Sequence, residues 1–276
     1  MDRAFMVLGI AILALALGSL GVLLWDVCRD GVGRLSWEFL TGHPSRHAAT
    51  AGLLPALVGS AWLLVLTAGM AVPIGIGAAI ALEEYGTRGW WGRLLEINIA
   101  NLAGVPSIVY GLLGLAVFVR TLHLDRSLLA GAATLALLVL PTVIVTAREA
   151  LRTVPGAQRE ASLALGATRW QTTRHQVLPA AWPGMLTGLI LALSRALGET
   201  APLLVIGALA YVPFVPDGPL APLTALPVQI FAWVSRPREG FRVNAAAAIL
   251  VLLAVLLVVN GLAIWMRDRA TRRRAA

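Results

Sequence analysis

The 276-residue sequence is 58% hydrophobic and only 13% charged, with 22 basic against 14 acidic residues and a formal net charge of +8. Several apolar runs exceed the ~20 residues that cross ~30 Å of hydrocarbon, which excludes a soluble domain, and a basic surplus around apolar runs suits a membrane protein better than a nucleic-acid binder. Every basic residue is arginine, so no phosphate loop ending in Gly-Lys-Ser/Thr exists and ATP hydrolysis through such a loop falls to a partner.

The first span is expected at 5–25, Phe5 to Trp25, as a retained helix, because the apolar run outlasts a signal-peptide core. A polar segment, Asp26 to Thr50, follows. It holds Cys28, the single cysteine, so no intrachain disulfide or Cys-based metal site is available. His43 and His47 also lie here, but in a Gly/Pro-containing loop where an i,i+4 pair does not converge on one ion. The second span is expected at 53–82, containing Pro55, Pro73, Gly69, Gly75 and Gly77, residues that membrane helices accept when neighbours cover the backbone. A charged turn with Trp90 and Trp91 reads as an interfacial anchor.

The third span is expected at 94–119 as one continuous run through Val105-Pro106-Ser107, and the fourth at 127–147. A loop over 148–179 is next; its stretch from Arg148 to Arg174 holds five arginines and two glutamates. The fifth span is expected at 182–211 and the sixth at 244–266, with a short helix or re-entrant turn over Leu226 to Val234 between them. The fold class is therefore all-α, a single polytopic domain of about six transmembrane helices. An even number of spans places both termini on one side. With that side cytoplasmic, thirteen arginines fall inside and eight outside, and the two densest clusters, 148–174 and the tail, are both inside.

Within the loop, Glu160 to Leu165 reads as helix and Gly166 as its stop. Ala167 to Gln176 starts a second short helix that Pro179 is expected to end. Taken by composition alone, this is a solvated hairpin between two spans. Its pattern resembles the EAA signature of ATP-binding-cassette importer permeases: Glu160, Ala161, Gly166, Leu178 and Pro179 stand at the signature's spacing, Ser162 replaces its second alanine, and Gln176 stands where an isoleucine is expected, with Val177 beside it. The resemblance implies a cytoplasmic coupling-helix hairpin that seats in an ATPase subunit, within a type I importer permease fold.

The fifth span carries Arg195 and Glu199, four residues apart and so on one helical face. An arginine at mid-bilayer costs ~2.5–3.5 kcal/mol on insertion scales, so such a residue faces a bundle interior or an aqueous path. Two roles are open: an anion path, or an ion pair holding helices together. Pro202 lacks an N–H and is expected to free the Gly198 carbonyl beside Glu199. Gly184 and Gly188 read as a close-packing pair. The stretch Ser194 to Leu204, SRALGETAPLL, together with Ala103 to Gly111 and Leu226 to Ile230, is similar to phosphate importer permeases of the PstA type. That similarity implies Arg195, Glu199 and Thr200 along the path of inorganic phosphate. It also implies a second, PstC-type permease, an ATPase subunit dimer that holds the ATP and Mg²⁺, an extracytoplasmic phosphate-binding protein, no cofactor in this chain, and the bacterial inner membrane as location.

A guanidinium fork holds a tetrahedral oxyanion bidentately, and phosphate keeps a P–OH that a carboxylate accepts, whereas sulfate has none. A permease for sulfate, molybdate or phosphonate shares the hairpin but is not expected to carry the GETAP stretch. A self-sufficient secondary transporter should repeat its halves, and the second half has no clear counterpart in the first. A membrane enzyme should place paired carboxylates or a histidine cluster within its spans, and the sequence offers neither.

Overall fold

The bundle is built around helix α6, Leu128–Arg152. Its start is fixed by Ser127, whose hydroxyl accepts from the Ala130 N–H at 3.2 Å, and its small apolar side chains let neighbours approach from several sides. In this computed structural model, 67% of the apolar window of α6 is buried, against 0% for the first helix, α1, Asp2–Gly31. The structure describes residues 2–86, 89–207 and 211–275, with the side chains of 2–4, 91 and 270–275 outside that description. Arg88 and positions 208–210 of the fifth span therefore lie outside the described residues, as do the side chains of Trp91, the expected anchor, and of Arg3 and Arg272 to Arg274 in the orientation count.

Among the described residues, five helices are long and apolar enough to span a membrane, and a bent pair makes a sixth. The second helix, α2, is a short segment, Trp37–Thr41, capped by Ser36. Helix α3, Leu54–Glu84, runs parallel to α6; Thr67 donates to the Ala132 carbonyl at 3.3 Å, and the carboxyl end of each helix lies at the same end of the bundle, joined by Glu83 and Arg148.

The third span departs from the sequence expectation. It is two helices, α4, Trp90–Ala103, and α5, Ser107–Gly114 with a π-turn over Leu115–Thr121, bent by 99° at the break. Pro106 supplies no N–H to an α-helical turn and pushes Val105 out of helical geometry, so the run stops at Gly104 and restarts at Ser107. Tyr110, 6% exposed, crosses the break and donates to the Leu102 carbonyl at 2.7 Å, which also accepts from the Val105 N–H at 3.2 Å.

Beyond α6 come the hairpin helices α7, Gly156–Ala164, and α8, Arg169–Thr172. Helix α9, Leu178–Gly198, then returns antiparallel to α6. A Cβ at Gly188 would strike Thr146, and one at Gly184 would come within 3.1 Å of Ala150, so the expected glycine pair is where these helices touch. The fifth span also differs from expectation: α9 ends at Gly198, and a short helix, α10, Ala201–Ile206, follows. Helix α11, Leu226–Val234, is the expected short segment, and α12, Glu239–Ala275, closes the chain.

At the end of the bundle remote from the hairpin, Phe39, Trp233 and Phe241 form a buried cluster with the start of α12. Arg34 ties the segment before α3 to it, donating to the carbonyls of Ala48, Ala49 and Ala51 and to Asn244 Oδ1. Gly188→Leu should drive a branched side chain into Thr146, and overpacking of this kind costs ~1–3 kcal/mol. We expect the variant to melt several degrees lower in detergent, measured by intrinsic fluorescence, while Gly198→Leu, where no atom lies within 4 Å of the added Cβ, leaves the midpoint unchanged.

Candidate coupling hairpin and anion path

The hairpin begins at Pro155, which caps α7, and turns at Gly166, whose φ of +88° lies in the left-handed region that favours glycine. Thr168 then starts α8 with a capping box: its hydroxyl accepts from the Gln171 N–H at 3.2 Å and the Gln171 side chain accepts from the Thr168 N–H at 2.8 Å. Ser162, in place of the signature's second alanine, shares a 2.9 Å hydrogen bond with Thr172 across the turn. The two arms are thus zipped by side chains and not only by the backbone.

Pro179 does not end the second arm. The chain stays helical from Arg169 through a π-turn, Thr173–Val177, into α9, where Pro179 occupies the first turn. A proline in an α-helix strands the carbonyl four residues back and crowds it. Here the wider turn, with Leu178 N–H donating to the Thr173 carbonyl, accommodates it. Gln176 is exposed, and the apolar contact expected from it is made by Val177, 0% exposed among Ala79, Leu151, Val154, Ala181 and Met185.

The hairpin's outward face is apolar and open. Leu165 is 90% exposed, Trp170 and Leu163 are exposed as well, and Glu160 is exposed without an ion pair among the described residues. Its inner side is held by Arg159, which donates to both Glu84 carboxylate oxygens (2.7 Å at the shorter) and to the carbonyls of Val154 and Leu151 at 2.6 and 2.9 Å. Next to it, Glu83 meets Arg148 and Arg152 at 3.4 and 3.0 Å, and both arginines reach Glu96 on α4 at 3.3 and 3.6 Å. Sequence reasoning passed over Glu83 and Glu84. The signal was a Glu-Glu pair closing a span, with an arginine-rich loop elsewhere in the chain.

Arg195 and Glu199 are brought together, but loosely. Arg195 lies in the last turn of α9, and Glu199 is the residue after it, in extended conformation with φ −73° and ψ +123°. Their contact is one Nε–carboxylate distance of 3.5 Å, with the Arg195 side chain 55% and the Glu199 side chain 18% exposed. The remaining Arg195 donors meet no acceptor among the described residues. Pro202 does not loosen a continuous helix, as the sequence led one to expect; it sits in the first turn of α10, after the chain has broken at Glu199 and Thr200. A Cβ at Gly111 would lie 2.7 Å from Pro202 Cα, so the break in the fifth span packs on the rebuilt half of the broken third span. Two interrupted helices meeting beside a charged pair is irregular backbone of the kind tolerated at membrane depth only within protein or along an aqueous path. Ser194, one residue before, bonds to Asn260 and ties this turn to α12.

Residues 71–275 match the profile of a family described as the binding-protein-dependent transport system inner membrane component. The phosphate transport system permease protein PstA 1 of Mycobacterium tuberculosis (strain CDC 1551 / Oshkosh) is 37% identical over 258 residues, covering 91% of this chain and 84% of that protein. PstA of Yersinia pestis is 34% identical over 263 residues, covering 95% and 88%. Among solved structures, a chain of the inward-facing MetNI methionine ABC transporter superposes with a TM-score of 0.59 over 80% of this chain and 96% of that one, at 18% identity, a likeness of fold.

Proposed function

From the membership of this chain in the family of binding-protein-dependent transport system inner membrane components, we propose that it is the PstA-type permease of an ATP-driven phosphate importer. It forms half of the membrane path beside a PstC-type permease, receives phosphate from an extracytoplasmic binding protein, and docks one subunit of an ATPase dimer through the hairpin. ATP and Mg²⁺ belong to that ATPase, and this chain is a transport subunit without catalysis of its own. Both termini and the hairpin face the cytoplasm. One observation carries the transport role: a half-exposed arginine, short of partners, beside a carboxylate at the point where two broken spans meet. The choice of phosphate over another oxyanion is supported by the relatives and by the chemistry of the pair, since a fork of N–H donors holds the phosphate oxygens and a carboxylate accepts its P–OH.

Affinity purification of the tagged chain, coexpressed with the companion permease and the ATPase, tests the docking role. Leu165→Asp is expected to cut ATPase recovery about tenfold without lowering the level of the chain in the membrane, because loss of an interface anchor costs ~1–2 kcal/mol while the exposed Leu165 supports nothing internally. Unchanged recovery would remove the hairpin as the docking surface.

Sidedness follows from the arginine distribution and is tested by thiol labelling. In a Cys28→Ser background, Leu220→Cys is expected to react with an impermeant reagent in intact cells, and Ala157→Cys only after permeabilisation. Both positions are exposed. The reverse pattern would invert the chain and leave the hairpin without access to an ATPase.

A further inference from the structure

The charged residues around the root of the hairpin form two linked sets. In the first, Glu84 at the end of α3 is gripped by Arg159 of α7. In the second, Glu83, the neighbour of Glu84, joins Arg148 and Arg152 of α6, which both extend to Glu96 of α4. Glu96 stands eight residues before Gly104, where the third span breaks, a rise of ~12 Å along the helix. From there the contacts continue. Tyr110 on α5 bonds back across the break to Leu102, and Gly111 on α5 lies against Pro202 at the start of α10, beside Glu199 and Thr200.

We propose that Glu83, Glu84, Glu96, Arg148, Arg152 and Arg159 form the mechanical link that delivers a displacement of the hairpin to the broken span α4–α5, with Glu96 the positioning residue that hands it on. The proposal rests on the hairpin being the ATPase contact. As static glue the outer members contribute little: Glu96 and Arg152 are 52% and 44% exposed, and exposed ion pairs add little to stability. The fold at this end is held instead by the apolar cluster around Leu151, Val177 and Met185. Weak, shared pairs between rigid helices exchange partners readily, which suits an element with two arrangements. The break at Gly104 to Pro106 is the joint at which α4 turns without unpacking α5 from α10.

The test uses the complete complex in proteoliposomes, with phosphate-loaded binding protein outside and ATP within, reading hydrolysis and radiolabelled phosphate uptake together. Glu96→Gln is expected to co-purify with the ATPase as the parent does and to hydrolyse ATP at a similar rate. Phosphate imported per ATP should fall about fivefold or more, the scale of an ordinary coupling energy. Arg152→Gln should do the same, and Glu96→Asp, which keeps the charge, should recover most of the parent ratio. An unchanged ratio in both Glu96→Gln and Arg152→Gln, or a Glu96→Asp as impaired as Glu96→Gln, overturns the link. A parent complex that imports phosphate without retaining an ATPase through the hairpin would instead overturn the docking role on which the link depends.

Discussion

Replacing both Arg195 and Glu199 with methionine is expected to leave a complex that inserts, assembles and binds its ATPase but imports phosphate about 100-fold more slowly, since the passing phosphate loses its guanidinium partner and truncating one side of such a charged contact costs ~2–5 kcal/mol. The alternative is that the two residues merely neutralise each other inside the bundle. A buried pair of that kind is often replaceable by apolar residues of similar volume with no loss of stability. The geometry argues against it. A structural arginine–carboxylate pair is short and forked, whereas here a single Nε contact of 3.5 Å leaves the rest of the guanidinium without acceptors among the described residues and the side chain 55% exposed. Arg195→Lys separates charge from geometry: it keeps the cation, loses the planar fork, and should retain partial import. Uptake assays on purified complexes, with pull-down as the control for assembly, distinguish the cases. Normal import by the double variant would make the pair structural.

Gly166→Val should uncouple the hairpin. At φ +88° a β-branched residue is strained by ~1–2 kcal/mol or more. No atom lies within 4 Å of the Cβ it would add, so the effect arises from the backbone and not from a clash. The turn relaxes by rotating α7 against α8, which breaks the Ser162–Thr172 hydrogen bond and misplaces Leu165 and Trp170. ATPase retention is expected to fall about tenfold, in line with a disturbed interface anchor. Gly166→Asn, which tolerates the left-handed region, should keep most of it. Equal retention in all three proteins would mean that the turn's conformation is not what the partner recognises.

The long spans were legible because a run of twenty apolar residues is a statement about composition, and composition alone dictates burial in hydrocarbon. Hydropathy carries no information about backbone direction, so the third and fifth spans read as continuous where the chain breaks. The local signals were present in Gly104-Val105-Pro106 and in Glu199-Thr200-Ala201-Pro202, but membrane helices accept proline when neighbours cover it, so the sequence alone does not say that these two prolines start new helices, which then pack together where Gly111 meets Pro202. Pro179 failed as a stop for the opposite reason: a π-turn upstream widened the helix around it. In the hairpin, the turn at Gly166 was legible from the glycine itself. The residues that root it, Glu83, Glu84 and Glu96, were not, because each finds its arginine 52 to 75 positions away and no local pattern encodes such a pair.

The most direct measurement is uptake of radiolabelled phosphate by proteoliposomes holding this chain, a PstC-type permease and the ATPase dimer, with the binding protein added outside. Uptake against a gradient is expected only when ATP is inside and the phosphate-loaded binding protein outside, and omission of this chain or of either component should abolish it. Labelled sulfate, presented with its own binding protein, should not enter. Phosphate uptake that persists without ATP, or equal entry of sulfate, would contradict the assignment of this chain as the PstA-type half of an ATP-driven phosphate importer.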